Sequence, residues 1–208
     1  MTSSTCIIHV VDDDDSLRTA VMRLLRATGY EVRGYASAGE FLLAGRGDMP
    51  GCVVLDVRMP GPSGLDLQAA FNEQGDALPI IFLTGHGDVP MSVRAMKAGA
   101  ADFLIKPVER EALLKAVQNA LARDAENRAA RDRASALEAS YQSLTPRERA
   151  VFALVVAGKL NKQIAAELDV SERTIKAHRA QVMNKMQVTS LTELVRVAEQ
   201  LHASDRRQ

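Results

Sequence analysis

The first part of the chain alternates short apolar runs with stretches that have the spacing of amphipathic helices. The continuous runs read CIIHVV, GCVVLDV, PIIFLTG and DFLIKP, and a weaker one reads YEVRGYA. Apolar runs without polar alternation are typical of strands buried on both faces, and helices between them indicate parallel crossovers. The pattern therefore predicts a doubly wound α/β domain around a five-stranded parallel sheet, over residues 1–122.

A long segment without proline or glycine follows, and it is rich in Ala, Arg and Glu. This composition favours a helix but offers little apolar surface to bury. The apolar side chains of Leu121, Leu137 and Tyr141 form no sustained heptad seam. We therefore predict a linker helix over residues 123–143, with a coiled coil as the alternative.

Only helical signals follow, and they predict an all-α domain of four helices over residues 144–208. Thr145 and Glu148 form a capping box around a proline at the first helical position. Asn161 is expected to cap the second helix and Ser171 the third. A tight turn joins these two helices, which suggests a helix-turn-helix motif.

One side of the third of these helices is apolar. With about 100° per residue, Ile175, Val182 and Met186 fall together and are expected to face the core. The opposite side carries basic, small and amide side chains, at Arg173, Lys176, Ala177, Ala180, Gln181 and Asn184. Such a face can approach DNA closely and contact phosphates and base edges, and a merely solvated face is the alternative.

Composition narrows the class of protein. With 47% hydrophobic and 25% charged residues, the chain is expected to fold in water, and no run is long enough for a membrane span. The N-terminal apolar run stops too early for a signal peptide, and Cys6 and Cys52 lie in apolar segments that favour reduced, buried thiols. We therefore predict a cytoplasmic protein.

The net charge of zero hides an asymmetry between the two ends. Residues 1–120 hold 11 basic and 15 acidic side chains, a net charge of −4, whereas residues 144–208 hold 11 and 7, a net charge of +4. The two ends are therefore expected to have different partners.

Four consecutive carboxylates, Asp12 to Asp15, follow the first predicted strand. In a parallel sheet the carboxyl ends of the strands meet at one edge, which should also hold Asp56, Thr84 and Lys106. Carboxylates crowded at one edge repel each other, and a divalent cation relieves that repulsion. Oxygen-only ligands favour Mg²⁺. The sequence contains neither a Walker-type nor a Gly-x-Gly-x-x-Gly phosphate loop, which argues against nucleotide binding.

The motifs VVDDD, LDVRMPGPSG, FLTGHGD and LIKP, in this order and spacing, resemble the receiver domain of two-component response regulators. The segment TGHGDVPMSVRAMKAGA resembles the FixJ-type branch of that family. The resemblance implies a flavodoxin-like fold in which Asp56 accepts a phosphoryl group. It also implies that the acidic pair Asp12 and Asp13 binds Mg²⁺, with help from Asp56 and from the backbone carbonyl of Arg58. The family positions that match Arg58 and His86 influence how long the acyl phosphate survives.

Three further residues match the receiver pattern. Thr84 matches the hydroxyl that moves onto the phosphoryl group, Lys106 the cation that binds it, and Phe103 the aromatic switch residue. The resemblance also implies a cis Lys106–Pro107 bond. In the FixJ-type branch, phosphorylation leads to dimerisation through the fourth helix and the fifth strand.

The segment LTPRERAVFALVVAGKLNKQIAAELDVSERTIKAHRAQVMNKM is similar over its whole length to the LuxR-type domain, also called GerE- or NarL-type. In that family the third helix enters the major groove of DNA, and the fourth can pair in a dimer. The resemblance implies DNA contacts at Lys162, Arg173, Thr174, Lys176, Ala177 and His178. Lys162 and Thr174 are expected to touch phosphate and Lys176 to lie closest to the bases, whereas His178 is either a contact or a half-buried structural histidine. Ala180 departs from many relatives, in which this position is basic.

Together these features predict a response regulator that takes a phosphoryl group from a sensor histidine kinase onto Asp56 with Mg²⁺. It is then expected to form a homodimer and bind promoter DNA to regulate transcription, with RNA polymerase as a further partner and no membrane partner. It is expected not to be an enzyme beyond its own phosphotransfer. The two alternatives are a phosphate-ester hydrolase with Asp56 as nucleophile, and a phosphorylation-independent DNA-binding protein with a vestigial receiver.

Overall fold

The structure is a computed structural model that describes residues 6–45, 49–73, 78–85 and 89–205. The chain divides into two compact units, Met1–Asn127 and Arg128–Gln208. The boundary falls within one continuous helix of 33 residues, Arg110–Gln142, so the predicted linker 123–143 is shared between the two units.

The first unit contains the predicted five-stranded parallel sheet. Its strands are β1 (Ile7–Val11), β2 (Glu31–Tyr35), β3 (Gly51–Asp56), β4 (Ile80–Thr84) and β5 (Asp102–Ile105). They lie in the order β2-β1-β3-β4-β5, and every neighbouring pair is parallel. β1, β3 and β4 are buried along their whole length, which explains their continuous apolar runs. The edge strand β2 has exposed side chains between buried ones, which is why YEVRGYA is the weakest strand signal.

Helices cover both faces of this sheet. Those of the first unit are α1 (Asp15–Ala27), α2 (Ala38–Ala44), α3 (Gly64–Glu73), α4 (Val89–Lys97) and the start of α5 (Arg110–Gln142). α1 and α5 pack on one face, and α2, α3 and α4 pack on the other. Successive residues of β3 therefore enter different cores, with Val53 and Leu55 on one side and Cys52 and Val54 on the other. The doubly wound α/β fold is confirmed.

Both cysteines are free thiols, as the sequence predicts. Cys52 is buried in the core shared with α1 and α5, and Cys6 is half-buried. Burial raises the pKa of the Cys52 thiol to about 12. At neutral pH Cys52 is therefore a packing residue rather than a reactive thiolate.

The second unit is all helical, as predicted. Its helices are the end of α5, α6 (Pro146–Val156), α7 (Asn161–Glu167), α8 (Glu172–Lys185) and α9 (Leu191–Asp205). Their core includes Val151, Ile164, Ile175, Val182 and Leu194. In the parts of the chain that the structure describes, no helix is both long enough and apolar enough to cross a membrane.

The predicted capping box at the start of α6 is confirmed, but the predicted cap of α7 is wrong. Thr145 Oγ1 accepts the Glu148 N–H, and the Glu148 carboxylate accepts the Thr145 N–H at 2.8 Å. Leu160, not Asn161, is the N-cap residue of α7, and its N–H donates to the Gln163 side chain at 2.8 Å. The Gln163 side chain satisfies the backbone N–H of Leu160, although the side chain of this cap residue is apolar.

The predicted helix over residues 123–143 is present, and its sparse apolar side chains are used for packing. Leu121 packs against the core of the first unit, whereas Leu137 and Tyr141 pack against the core of the second. The Tyr141 ring lies edge-on to that of Phe152, with ring centroids 5.4 Å apart. These contacts leave no heptad signal in the sequence because the two ends of the helix serve different cores.

Candidate functional site

Strand ends bring the predicted acidic residues together. Asp12 follows β1 directly, Asp56 is the last residue of β3, and these two strands are adjacent in the sheet. Carboxylate oxygens of Asp12, Asp13 and Asp56 lie within 4.8 Å of one another, and we call these three residues the acidic cluster. Asp12 and Asp56 are buried and Asp13 is exposed, so Asp13 forms the solvent-facing side of the cluster.

The ammonium group of Lys106 contacts both buried carboxylates. Lys106 follows β5, and its Nζ lies 2.8 Å from Asp12 Oδ2 and 3.2 Å from Asp56 Oδ2. Burial alone would lower the pKa of Lys106, but the hydrogen bond to Asp12 and the charges of both carboxylates outweigh it and raise the pKa above its ordinary value. Lys106 therefore stays a cation at neutral pH. The Lys106–Pro107 peptide bond is cis, in agreement with the prediction.

Opposing influences act on the carboxyl group of Asp56. Burial raises its pKa above the ordinary value, Lys106 opposes that effect, and the charge of Asp12 adds to it. The backbone N–H of Arg58 donates to the carboxylate and favours its charged form. Asp56 is thus a buried carboxylate that is only partly neutralised by the groups around it.

The acidic cluster fits a small divalent cation. Its three carboxylates offer only oxygen atoms, which are the ligands that hard cations prefer. When all three are ionised, they and the ammonium of Lys106 carry a net charge of −2, which a divalent cation would neutralise. The main chain of Arg58 lies against Asp56 through its N–H, and the ligand role of the Arg58 carbonyl stays a prediction.

The four consecutive aspartates have different roles. Asp12 and Asp13 belong to the acidic cluster, whereas Asp14 caps α1 by accepting two backbone N–H groups of its first turn. Asp15 pairs with Arg18 at 2.5 Å, and Arg18 also donates to the backbone oxygen of Asp12 at 2.6 Å. From the sequence, Asp14 and Asp15 are expected only as solvated acids at the helix start. Arg18 was missed, although an acidic and a basic residue three apart on a helix indicate such a pair.

The predicted switch residues lie on neighbouring strands. Thr84 ends β4 and is buried, and its backbone oxygen accepts the N–H of Lys106 at 2.7 Å. Phe103 on β5 is half-buried, with its ring centroid 6.3 Å from that of Phe82. Thr84 therefore shares the sheet edge with the acidic cluster, and Phe103 lies further back along β5. His86 lies outside the described residues.

A glycine lets the chain pass close behind Asp56. A Cβ atom on Gly64 would lie 2.5 Å from the backbone oxygen of Asp56 and 3.1 Å from the ring of Phe82. The Gly64 N–H also donates to the Val57 carbonyl at 3.1 Å, which closes the loop between β3 and α3. This close approach requires glycine at the position.

α8 has the predicted division into a buried and an exposed side. Ile175, Val182 and Met186 are buried in the core of the second unit. The residues predicted for the opposite side are all exposed, namely Arg173, Lys176, Ala177, Ala180, Gln181 and Asn184. This side presents positive charge, small side chains and amides, which is what close contact with phosphates and base edges requires.

The other predicted DNA contacts differ in exposure. Lys162 is exposed in the first turn of α7, whereas Thr174 and His178 are half-buried. The N–H of Thr174 donates to Ser171 Oγ at 3.1 Å, and the two hydroxyl groups lie 2.9 Å apart. The predicted Ser171 cap of α8 is thereby confirmed, and Thr174 helps to hold it.

Family models match both parts of the chain. The model of the response regulator receiver domain matches residues 8–118. The model of bacterial regulatory proteins of the luxR family matches residues 142–198.

Relatives match over nearly the whole chain. The response regulator protein TodT of Pseudomonas putida is 46% identical over 204 residues, which are 98% of this chain and 90% of TodT. The transcriptional regulatory protein FixJ of Bradyrhizobium diazoefficiens is 48% identical over 193 residues, 92% of this chain and 93% of FixJ. A solved structure of the response regulator StyR is 48% identical, with a TM-score of 0.83, and the match covers 94% of this chain and 98% of that chain.

These similarities confirm the resemblance to the receiver domain, to its FixJ-type branch and to the LuxR-type domain. They extend over both units rather than over one. The chain therefore belongs to the two-component response regulators in which a receiver domain is followed by a LuxR-type DNA-binding domain that regulates transcription.

Proposed function

We propose that a sensor histidine kinase transfers a phosphoryl group to Asp56. The observation that carries this proposal is the ammonium of Lys106, 3.2 Å from a buried carboxylate at the strand edge where ligands bind in such folds. Mg²⁺ would be held by Asp12, Asp13, Asp56 and the carbonyl of Arg58, and when bound it neutralises charge on the phosphoryl oxygens. The three converging carboxylates support this choice of cation.

In the proposed transfer, a carboxylate oxygen of Asp56 attacks the phosphorus of a phosphohistidine. An oxygen–phosphorus bond forms, the nitrogen–phosphorus bond breaks, and its electron pair leaves with the imidazole. Lys106 lies close enough to Asp56 to neutralise charge on the transferred group. Positioning and charge dominate the catalysis of such transfers, so we propose a phosphoryl acceptor and not an enzyme with a substrate of its own.

Phosphorylation is proposed to shift the receiver between two states. Thr84 ends β4 and Lys106 directly follows the neighbouring strand β5, and their backbones are hydrogen bonded at 2.7 Å. A phosphoryl group on Asp56 favours the state in which the Thr84 hydroxyl and the Lys106 ammonium both reach it. Phe103 lies on the strand that leads to Lys106, and its half-buried ring is proposed to change position with that strand end.

The phosphorylated receiver is proposed to form a homodimer through α4 and β5. The exposed side of α4 carries Val89, Val93 and Met96, spaced by about one turn, and β5 adds the exposed Ile105. Val89 is 71% exposed and Ile105 58%, which leaves a row of large apolar side chains in contact with water. Such a surface suits burial against a second copy of the chain.

The dimer is proposed to bind promoter DNA and so to regulate transcription in the cytoplasm, with RNA polymerase as a further partner. In this proposal α8 enters the major groove, Lys176 approaches the bases, and Lys162 and Thr174 contact phosphates. The remaining contacts are Arg173, Ala177 and His178. A dimer favours paired half-sites, because its second domain binds at a raised effective concentration.

The intact mass of the chain after incubation with acetyl phosphate, with and without Mg²⁺, tests the acceptor role. The native chain should gain a single phosphoryl group only when Mg²⁺ is present, and Asp56→Asn should gain none. An adduct on Asp56→Asn would contradict the assignment. Repeated turnover of an added phosphate monoester would indicate a hydrolase instead. DNA binding that is the same with and without the adduct would indicate a vestigial receiver.

A further inference from the structure

We infer that Arg179 is a positioning residue for DNA binding, because it holds the first turn of α7, and with it Lys162, in place against α8. The starting point is a hydrogen bond of 2.7 Å from Arg179 Nη1 to Asn161 Oδ1. The inference rests on the proposed DNA contacts of α8 and Lys162. It adds a residue that acts on these contacts without touching DNA.

Arg179 does not lie on the exposed side of α8. At about 100° per residue it is only roughly 40° around the helix from the fully buried Ile175. Its side chain is half-buried, whereas Lys176 and Ala180 are exposed. A cation on the side of a helix that faces the core loses hydration free energy, and a polar partner is needed to compensate that loss. Arg179 therefore acts on the neighbouring helix and not on DNA at the far side of α8.

Asn161 supplies the partner because its side chain does not cap α7. The cap is made instead by the N–H of Leu160, which donates to the side chain of Gln163. The amide oxygen of Asn161 accepts a charge-assisted hydrogen bond, which is stronger than one between neutral groups. The bond joins two helices whose apolar residues Ile164 and Ile175 share one core.

The bond fixes the end of α7 that carries Lys162. Apolar packing in the shared core holds the two helices against each other, and the hydrogen bond between Arg179 and Asn161 adds a directional constraint at this end of α7. Lys162 follows Asn161 directly and is exposed. Its distance from the exposed cations Arg173 and Lys176 has to match the spacing of phosphates and bases on one duplex. A directional bond at the first residue of α7 determines that distance.

The test measures binding of the full chain to mixed-sequence duplex DNA over a series of KCl concentrations, with and without prior acetyl phosphate and Mg²⁺. The binding constant K falls as salt rises, and the magnitude of this negative slope of log K against log salt concentration, here called the slope, grows by about 0.9 with each phosphate contact. Asn161→Ala removes no charge, yet it should lower the slope by about 0.9, as Lys162→Ala should. In the Asn161→Ala background, Lys162→Ala should lower the slope no further.

Gln163→Ala is the matched control, because it removes a hydrogen bond from the same turn of α7 without touching the bond to α8. It should keep the native slope. A loss equal to that of Asn161→Ala would show that fraying of α7 explains the effect, and the inference would be overturned. An unchanged slope in Asn161→Ala, or fully additive losses in the double variant, would overturn it as well.

Failure of the proposed function has a different signature. If the native chain does not bind duplex DNA at low salt in either state, DNA binding itself is wrong and the inference falls with it. If Lys162→Ala keeps the native slope while Arg173→Ala and Lys176→Ala lower it, DNA binding by α8 stands. In that case only the positioning of Lys162 by Arg179 is overturned.

Discussion

The ammonium group of Lys185 lies 2.7 Å from Glu148 Oε2, so the last turn of α8 is joined to the first turn of α6. The same ammonium donates to the backbone oxygen of Ser143 at 3.1 Å, directly after the end of α5. The Glu148 carboxylate also accepts the N–H of Thr145 and so caps α6. One cation and one carboxylate thereby connect three helix ends of the second unit through charge-assisted hydrogen bonds.

Glu148 should contribute to stability in a pH-dependent way. Its pKa is lowered from the ordinary value of 4.5, first by the hydrogen bond from Lys185 and then by the N–H of Thr145. The unfolded chain therefore binds this proton more readily than the folded chain. The stabilisation is complete above pH 4.5 and is lost as the pH falls through the lower pKa of the folded state.

Thermal unfolding of the full chain, followed by circular dichroism as the pH is lowered, measures this contribution. The native chain should lose more stability than Glu148→Gln over the acidic range. Glu167→Gln is the matched control, because Glu167 forms an exposed ion pair with Lys159 and such pairs contribute little. If Glu148→Gln follows the native pH dependence, the Lys185–Glu148 contact does not act as described.

Gly64→Ala should damage the acceptor site. The new methyl group would lie 2.5 Å from the backbone oxygen of Asp56, which cannot move without shifting the end of β3. We expect the free energy of unfolding to fall by about 1–3 kcal/mol, as at other overpacked sites, and labelling of Asp56 by acetyl phosphate to slow. Urea unfolding and intact mass against time measure the two effects.

Gly39→Ala is the control, and it should change the free energy of unfolding in the opposite direction. Gly39 lies in α2, and a methyl group there would meet nothing closer than 3.8 Å. Alanine loses less backbone entropy than glycine in a helix, so this substitution should stabilise the chain by up to about 1 kcal/mol. Destabilisation by both substitutions to the same extent would show that the contact behind Asp56 is not the cause.

Loss of the Lys106 ammonium should change cation binding and phosphoryl transfer in opposite directions. The ammonium contacts Asp12 at 2.8 Å, and its positive charge repels a Mg²⁺ ion bound at the acidic cluster. Lys106→Met should therefore bind Mg²⁺ on the order of tenfold more tightly in a calorimetric titration, equivalent to ~1.4 kcal/mol. Transfer to Asp56 should nevertheless slow, because charge on the transferred group is no longer neutralised by this side chain.

Lys97→Met, at an exposed lysine of α4, controls for the change in net charge and should leave Mg²⁺ affinity close to that of the native chain. Weaker Mg²⁺ binding in Lys106→Met would mean that Lys106 organises the carboxylates instead of competing with the cation. Faster phosphoryl transfer would exclude the neutralising role altogether.

The acidic cluster could be predicted from the sequence because every strand of a parallel sheet ends at the same edge. Asp12 and Asp56 each come at the end of an apolar run, and Thr84 and Lys106 do the same on the other side of β3. Once the strands are recognised, chain order alone brings these residues to one edge. The exposed side of α8 follows from helical periodicity in the same local way.

Contacts between distant segments leave no comparable pattern. Asn161 reads as a helix cap because cap preferences are local, whereas its partner Arg179 is 18 residues away. Asp124 lies in the predicted linker helix, where the sequence indicates little burial, yet it is buried and accepts the N–H of Gly51 at 3.0 Å across 73 residues. These pairs depend on how whole elements pack, and no periodicity in the chain encodes that packing.

The Asp124 contact predicts where the first unit can be cut. A chain of residues 1–123 lacks the Asp124 carboxylate, so the buried N–H of Gly51 loses its acceptor, which costs about 1–3 kcal/mol. Urea unfolding should therefore show lower stability for residues 1–123 than for residues 1–127. Both chains should still be labelled at Asp56 by acetyl phosphate, because Gly51 begins β3 and Asp56 ends it.

Two substitutions in the longer chain separate the lost hydrogen bond from the loss of helix length. Asp124→Ala removes the acceptor and should reproduce most of the instability of residues 1–123. Asp124→Asn keeps an oxygen that can accept the N–H of Gly51 and should retain more of the stability. If Asp124→Ala is as stable as the native sequence, water or a relaxed backbone replaces the acceptor, and the difference between the truncated chains comes from the four missing helical residues.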